Sequence, residues 1–175
     1  MGLDVVGIDN DMRRTFFGAS ASNAATYTAL KSACPGFHLV EADIRDAAAV
    51  EALFRRHGKS LRAVVHAAAQ PSHDWAATDP LTDFSINATA TLTLLEACRG
   101  HAPEARFLFV STNKVYGDHP NHLPLQEGET RMEIDPGHAF HARGIDETMS
   151  IDQTRHSLFG VSKTAADLMV QEYGD

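Results

Sequence analysis

Cysteine is scarce in this chain. Cys34 and Cys98 stand far apart and lack the clustered spacing of a metal-ligand set, which argues for a reduced, cytoplasmic protein with two packed thiols. Positive charge is also in short supply. Fifteen Lys and Arg face 23 Asp and Glu, for a formal net charge of −8. A nucleic-acid binder would carry a basic face, so that class is set aside, although backbone amides could still hold an anionic ligand locally. No apolar run approaches the ~20 residues of a membrane span. The opening Met1-Gly2-Leu3-Asp4 reads as the approach to a strand rather than as a signal peptide. No internal repeat or low-complexity linker is visible. What remains is ordinary for a globular domain: 175 residues, 43% hydrophobic and 22% charged, enough for one sizeable core.

Short apolar runs alternate with helix-length segments. Val5-Val6-Gly7-Ile8, Phe37-His38-Leu39-Val40, Ala63-Val64-Val65-His66 and Phe107-Leu108-Phe109-Val110 read as buried strands. Helices are expected near 22–33, from Asp46 to a stop at Gly58, from about Asp79 to Arg99, and from about Phe159 to Tyr173. The Asp79–Arg99 segment is expected as one long helix, with Phe84, Ile86, Leu92, Leu94 and Leu95 on its apolar face. The stretch from Gly117 to about His156 reads as a long loop. This alternation predicts an α/β fold with a doubly wound parallel sheet, whose ligand sites lie at the carboxyl ends of the strands.

Those strand ends carry the informative residues. Asp9 could accept hydrogen bonds from both hydroxyls of an adenosine ribose and repel a 2′-phosphate, or it could cap a turn; Arg13 and Arg14 nearby blur the choice between NAD and NADP. Asp43-Ile44 could flank an adenine edge or form a turn. Ala67-Ala68-Ala69 would let a flat ligand approach the backbone, or would simply pack a helix on the sheet. The hydroxyls of Ser111-Thr112 end a strand, where a donor could stabilise charge on a reacting sugar oxygen. Phe159 and Lys163 are one helical turn apart and share a face. A Tyr four residues before a Lys makes an acid–base pair, because the ammonium lowers the phenol pKa. Phe159 holds that Tyr position here, and on spacing alone Lys163 would be a solvated lysine. His119 and His122, or His138 and His141, are spaced i, i+3, but no acid or cysteine completes a metal set.

Taken together these motifs resemble the NAD-dependent epimerase/dehydratase family of extended short-chain dehydrogenase/reductases, in its nucleotide-sugar 2-epimerase branch. Ser111-Thr112-Asn113-Lys114-Val115-Tyr116-Gly117-Asp118 is the most specific match. Gly144-Ile145-Asp146-Glu147, His156-Ser157 and Gly160-Val161-Ser162-Lys163 are the second. The resemblance implies a Rossmann-like NAD-binding domain over 1–175. It implies NAD contacts from Asp9, Asn10, Asp43, Ile44, Ala67, Ala68, Ala69, Gln70, Asn87 and Lys163, and catalytic roles for Thr112 and Lys163, with Phe159 at the Tyr position. A nucleotide-sugar substrate and a cytoplasmic protein are implied, with a homo-oligomer left open. The implied chemistry is oxidation of a sugar carbon to a ketone and re-reduction from the opposite face. Asn113-Lys114 replaces the Asp-Glu pair of sugar dehydratases, which favours epimerisation over loss of water.

Three departures accompany the likeness. The family's first strand and glycine-rich phosphate turn are expected to be missing ahead of Met1, and its C-terminal substrate-binding part to be missing beyond Asp175. Without that strand, either the sheet closes the gap or two interior edges stay unpaired. With Phe159 in place of Tyr, the proton would have to move through His156, Tyr116 or a water. A non-catalytic binding or assembly module on the same fold, and a dehydratase or reductase of the same superfamily, are the alternative readings.

Overall fold

The computed structural model describes residues 2–174. Of the strand-like opening, Gly2–Asp4 form no regular element and Met1 lies outside the described residues. Strand β1 (Val5–Asp9) leads through α1 (Met12–Phe17) and α2 (Ala24–Ala33) to β2 (Phe37–Glu41). The two strands pair in parallel, with Val5 opposite Phe37 and Asp9 opposite Glu41. Helix α3 (Ala47–His57) then crosses to β3 (Ala63–His66). After α4 (His73–Thr78), α5 (Pro80–Phe84) and α6 (Ala90–His101), the chain returns as β4 (Arg106–Phe109), parallel to β3. Helix α7 (Leu158–Glu172) closes the described chain.

Helix α3 shows how local sequence sets these elements. The Asp46 side chain accepts hydrogen bonds from the backbone N–H groups of Ala48 and Ala49, satisfying two of the donors every helix start leaves open. Arg55, Arg56 and His57 place positive charge at the carbonyl end, and Gly58, at φ +38°, ends the helix. Val50 and Phe54, one turn apart, bury against α6 through Leu94, Ala97 and Cys98. Each such side chain contributes about 1.5–3 kcal/mol. Ile8 of β1, Val64 of β3 and Phe107 of β4 pack on the same cluster. One layer of helices therefore seats both strand pairs.

One open alternative is decided and two expectations need correction. The sheet is not continuous: among the described residues β1–β2 and β3–β4 are separate two-stranded sheets, and no ladder joins β1 to β3. Each pair is held by its own ladder and by side chains packed on the cluster between α3 and α6. On the side away from that core, Val65 (67% exposed), Leu108 and Val110 are uncovered. Second, the long helix from 79 to 99 is broken into α5, a π-helical turn at Ser85–Thr89, and α6. Ile86, Leu94 and Leu95 are buried, but Phe84 and Leu92 are exposed. The wide turn shifts the helical phase, and Ala90, Thr91, Ala97 and Cys98 complete the buried face of α6. Third, the 117–156 stretch is not all loop. It contains an antiparallel hairpin, β5 (Leu125–Glu127) with β6 (Met132–Ile134).

Candidate active site

A cleft of about 300 Å³ opens at the carboxyl ends of β1, β2 and β3. It brings together Asp9, Asn10, Asp43, Ile44, Ala67, Ala68 and Ala69, all singled out from the sequence. Arg13 also lines it, with its guanidinium 5.3 Å from the centre of the Phe17 ring. Asp9 accepts a hydrogen bond from the Asp11 N–H at 2.5 Å. Asp9 also bears on Tyr27, whose phenol is pushed up to about 12 by burial and then by the Asp9 hydrogen bond and charge.

Asp43 is heavily engaged. Arg45 Nη2 approaches it at 2.6 Å, and Asn10 Nδ2 donates to it at 3.0 Å. The hydrogen bond from Arg45 leads the causes that hold its carboxyl below the usual range. Asp43 thus clasps the ends of β1 and β2, so its turn role is realised whatever else it does. Asp11, missed in the sequence, adopts a left-handed backbone (φ +53°) and receives Ser22 Oγ at 2.7 Å and the Asn23 N–H at 2.8 Å. Its carboxyl is lowered, first by the Ser22 bond. It pins the turn between β1 and α1 that forms one wall of the cleft.

Gln70 and Asn87 do not line the cleft but stand behind it in a buried polar network. Asn87 Oδ1 accepts from the Gln70 N–H at 2.9 Å. Its Nδ2 lies 3.1 Å from the Gln70 carbonyl, 3.0 Å from Asp83 Oδ1 and 3.0 Å from Ser162 Oγ. Gln70 Nε2 also donates to Asp83 at 2.9 Å. Asp83 is raised by burial, against the opposing hydrogen bonds of Ser162 and Gln70 and the charge of His73. Sequence reading missed Asp83 and gave Ser162 no role beyond its motif; for Asp83 the available signal was its i, i+4 spacing to Asn87 within an apolar helical segment. The π turn contains Asn87 and swings it off the ordinary helical phase toward the Gln70 backbone.

A second corner forms where α7 meets the end of β4. Lys163 is buried, contrary to the solvated lysine its spacing alone suggested. Its Nζ donates to the Val110 carbonyl at 2.9 Å and sits 4.1 Å from the Phe109 ring centre. Burial pulls its pKa down to about 8, with Asp167 opposing. His66 lies behind it, bonded through Nε2 to Thr91 Oγ1 at 2.9 Å, and is lowered to about 4 by burial and then by the Lys163 charge.

Thr112 caps the 3₁₀ turn Asn113–Tyr116 by accepting from the Lys114 N–H at 3.3 Å, and Ser111 donates to Asp167 of α7. That turn lies so close to α7 that a Cβ on Gly160 would stand 2.9 Å from the Lys114 carbonyl oxygen. Phe159 is buried one turn before Lys163, with the His73 ring 4.9 Å from its own. The paired histidines considered for metal bind backbone instead: His119 Nε2 meets the Asp152 carbonyl and His141 Nδ1 that of Ile134. Among the described residues no three potential ligands gather.

The profile of the NAD dependent epimerase/dehydratase family matches residues 1–175. The chain belongs to this family. It is 32% identical over 173 residues to the CDP-paratose 2-epimerase of Salmonella typhi, covering 98% of this chain and 46% of that protein. Among solved structures, the UDP-Glc/GlcNAc 4-epimerase from Campylobacter jejuni superposes with a TM-score of 0.69 at 22% identity, covering 98% of this chain and 41% of that one. A double mutant of the dTDP-glucose 4,6-dehydratase DesIV from Streptomyces venezuelae, solved with NAD and DAU bound, gives 0.68 at 26% identity, covering 97% and 42%. This epimerase/dehydratase chain therefore spans less than half the length of these relatives. Its fold is that of the Rossmann-type members of the family. Among the described residues, no helix is long and apolar enough to cross a membrane.

Proposed function

We propose that this chain belongs to an NAD-dependent nucleotide-sugar epimerase that inverts a sugar carbon by oxidising it to a ketone and reducing it again. The observation that carries the reading is the cleft at the strand ends, which Asp9 lines together with Ala67, Ala68 and Ala69. These residues fit a dinucleotide. An acid suits a ribose diol, and methyl side chains let a flat ring approach the backbone. Asp9, Asn10, Asp43, Ile44 and Ala67–Ala69 would hold NAD along the cleft. Gln70 and Asn87 would brace its floor, and Lys163 would meet it at the far end. The cofactor supplies the hydride acceptor and donor.

The protein's own residues position and polarise. The Thr112 hydroxyl, fixed at the end of β4, would hydrogen-bond the reacting sugar oxygen and steady charge there as it becomes a carbonyl oxygen. Lys163 holds positive charge beside the same corner. Asn113 and Lys114 provide no acid pair to expel water, which supports epimerisation over dehydration. Phe159 favours the second reading, a binding module without turnover, because it cannot exchange a proton.

Calorimetric titration with NAD tests the assignment. Saturable binding is expected, weakened by Asp9→Ala. No heat at millimolar NAD would overturn the cofactor role for this chain.

A further inference from the structure

The proposed oxidation must remove a hydroxyl proton as well as a hydride, and Phe159 has no group for it. Two side chains named from the sequence as substitutes are poorly placed. His156 Nε2 is 3.0 Å from the Ile151 carbonyl, so the proton must sit on Nε2. Its Nδ1 is then the basic atom, and that atom is buried with no partner. A lone pair closed off in this way cannot reach a sugar. The Tyr116 phenol is pushed up by burial and then by the charges of Glu147, Asp146 and Asp167, which is the wrong direction for a base.

His73 differs from both, standing exposed against the Phe159 ring. It opens α4, directly after the loop that carries Ala67–Ala69 along the cleft. Gln70 anchors that loop in the buried network, and Ser72 Oγ accepts from the Trp75 N–H to fix the turn into the helix. The His73 ring lies 4.9 Å from Phe159, tilted 57° against it, and the residue is exposed. The buried Asp83 carboxyl is raised by burial, and the His73 charge is among the influences that oppose the rise. An exposed imidazole therefore flanks the side chain that stands where a phenol would serve.

We propose that His73 takes and returns the sugar hydroxyl proton in place of the phenol that Phe159 lacks. In the forward half, the sugar O–H bond would break and its proton pass to an imidazole nitrogen, with a bound NAD supplying the acceptor for the hydride of the same carbon. In the return half, the imidazolium would give the proton back to the carbonyl oxygen as that carbon is reduced from its opposite face. This inference rests on the epimerase reading above.

The test compares the unaltered protein, His73→Gln and His73→Gln/Phe159→Tyr, each with NAD and with CDP-glucose or UDP-glucose. Calorimetry reports binding. Carbethoxylation of histidines by diethyl pyrocarbonate, followed by mass spectrometry, reports which imidazoles a bound sugar covers. His73 is expected to label in the free protein and to be protected at least tenfold by a sugar nucleotide that calorimetry shows bound. His73→Gln is expected to lower turnover about 100-fold with NAD affinity unchanged. Adding Phe159→Tyr should then restore it about tenfold or more, which a merely structural loss would not allow. Equal labelling of His73 with the sugar bound, unchanged turnover in His73→Gln, or NAD binding without any turnover would overturn the role of His73 while leaving the cofactor assignment standing. If neither NAD nor a sugar nucleotide binds, the epimerase reading falls and this inference falls with it.

Discussion

Asn87→Ala removes the centre of the buried network. Asn87 is 1% exposed, and its amide satisfies both backbone groups of Gln70 while also reaching Asp83 and Ser162. Truncation strands the Gln70 N–H and carbonyl. Asp83 keeps the Gln70 Nε2 donor, and Ser162 keeps its bond to the Phe159 carbonyl. Two orphaned buried groups cost about 2–6 kcal/mol, and a water entering the space would return part of it, leaving about 3 kcal/mol. Against a domain stability of about 5–15 kcal/mol, such a loss is readily measured. Urea unfolding followed by circular dichroism should show a lower midpoint with an unchanged slope. Ser162→Ala alone should cost about 1 kcal/mol, and the double variant should lose less than the sum by about 0.5 kcal/mol or more. A loss below about 1 kcal/mol for Asn87→Ala would show that the network does not hold Gln70 in place.

Other perturbations give equally definite outcomes. His66 titrates near 4 when folded against 6.5 ordinarily, so the unfolded chain binds the proton first as pH falls. Stability should therefore decline from about pH 6.5 toward 4, by up to about 3 kcal/mol, and His66→Gln should flatten that limb in acid-side melts. Asp46→Ala deletes the α3 cap and should cost about 1 kcal/mol in urea melts. Gly160→Ala would force the Lys114 carbonyl away from α7. It should cost about 1–3 kcal/mol and speed amide exchange across residues 113–116, and an unchanged exchange pattern would contradict the close packing.

The strands, the Asp46 cap and the Gly58 stop were legible because each depends on a few neighbouring residues. The strand-end residues of the cleft were legible for the same reason, since parallel strands deliver their carboxyl ends to one side. Lys163 was not: helical spacing places it one turn from Phe159 but says nothing of the Val110 carbonyl and Phe109 ring that enclose it. Asp83 and the π turn were missed because their meaning comes from Gln70 and Ser162, far away in sequence. His73 was invisible because only the folded chain brings the start of α4 against α7.

Among the described residues the two strand pairs meet through side chains rather than a shared ladder, so packing bears on the shape of the cleft. In a continuous sheet, strand spacing is fixed by hydrogen bonds near 4.8 Å, and core volume barely alters it. Between these two pairs, Phe54, Ile86 and Leu94 fill the layer beneath the strand ends that carry Asp9 and Ala67. Trimming one of them would move a wall of the cleft. Ligand affinity would then respond to core packing, making residues that never touch the ligand part of its measuring gauge.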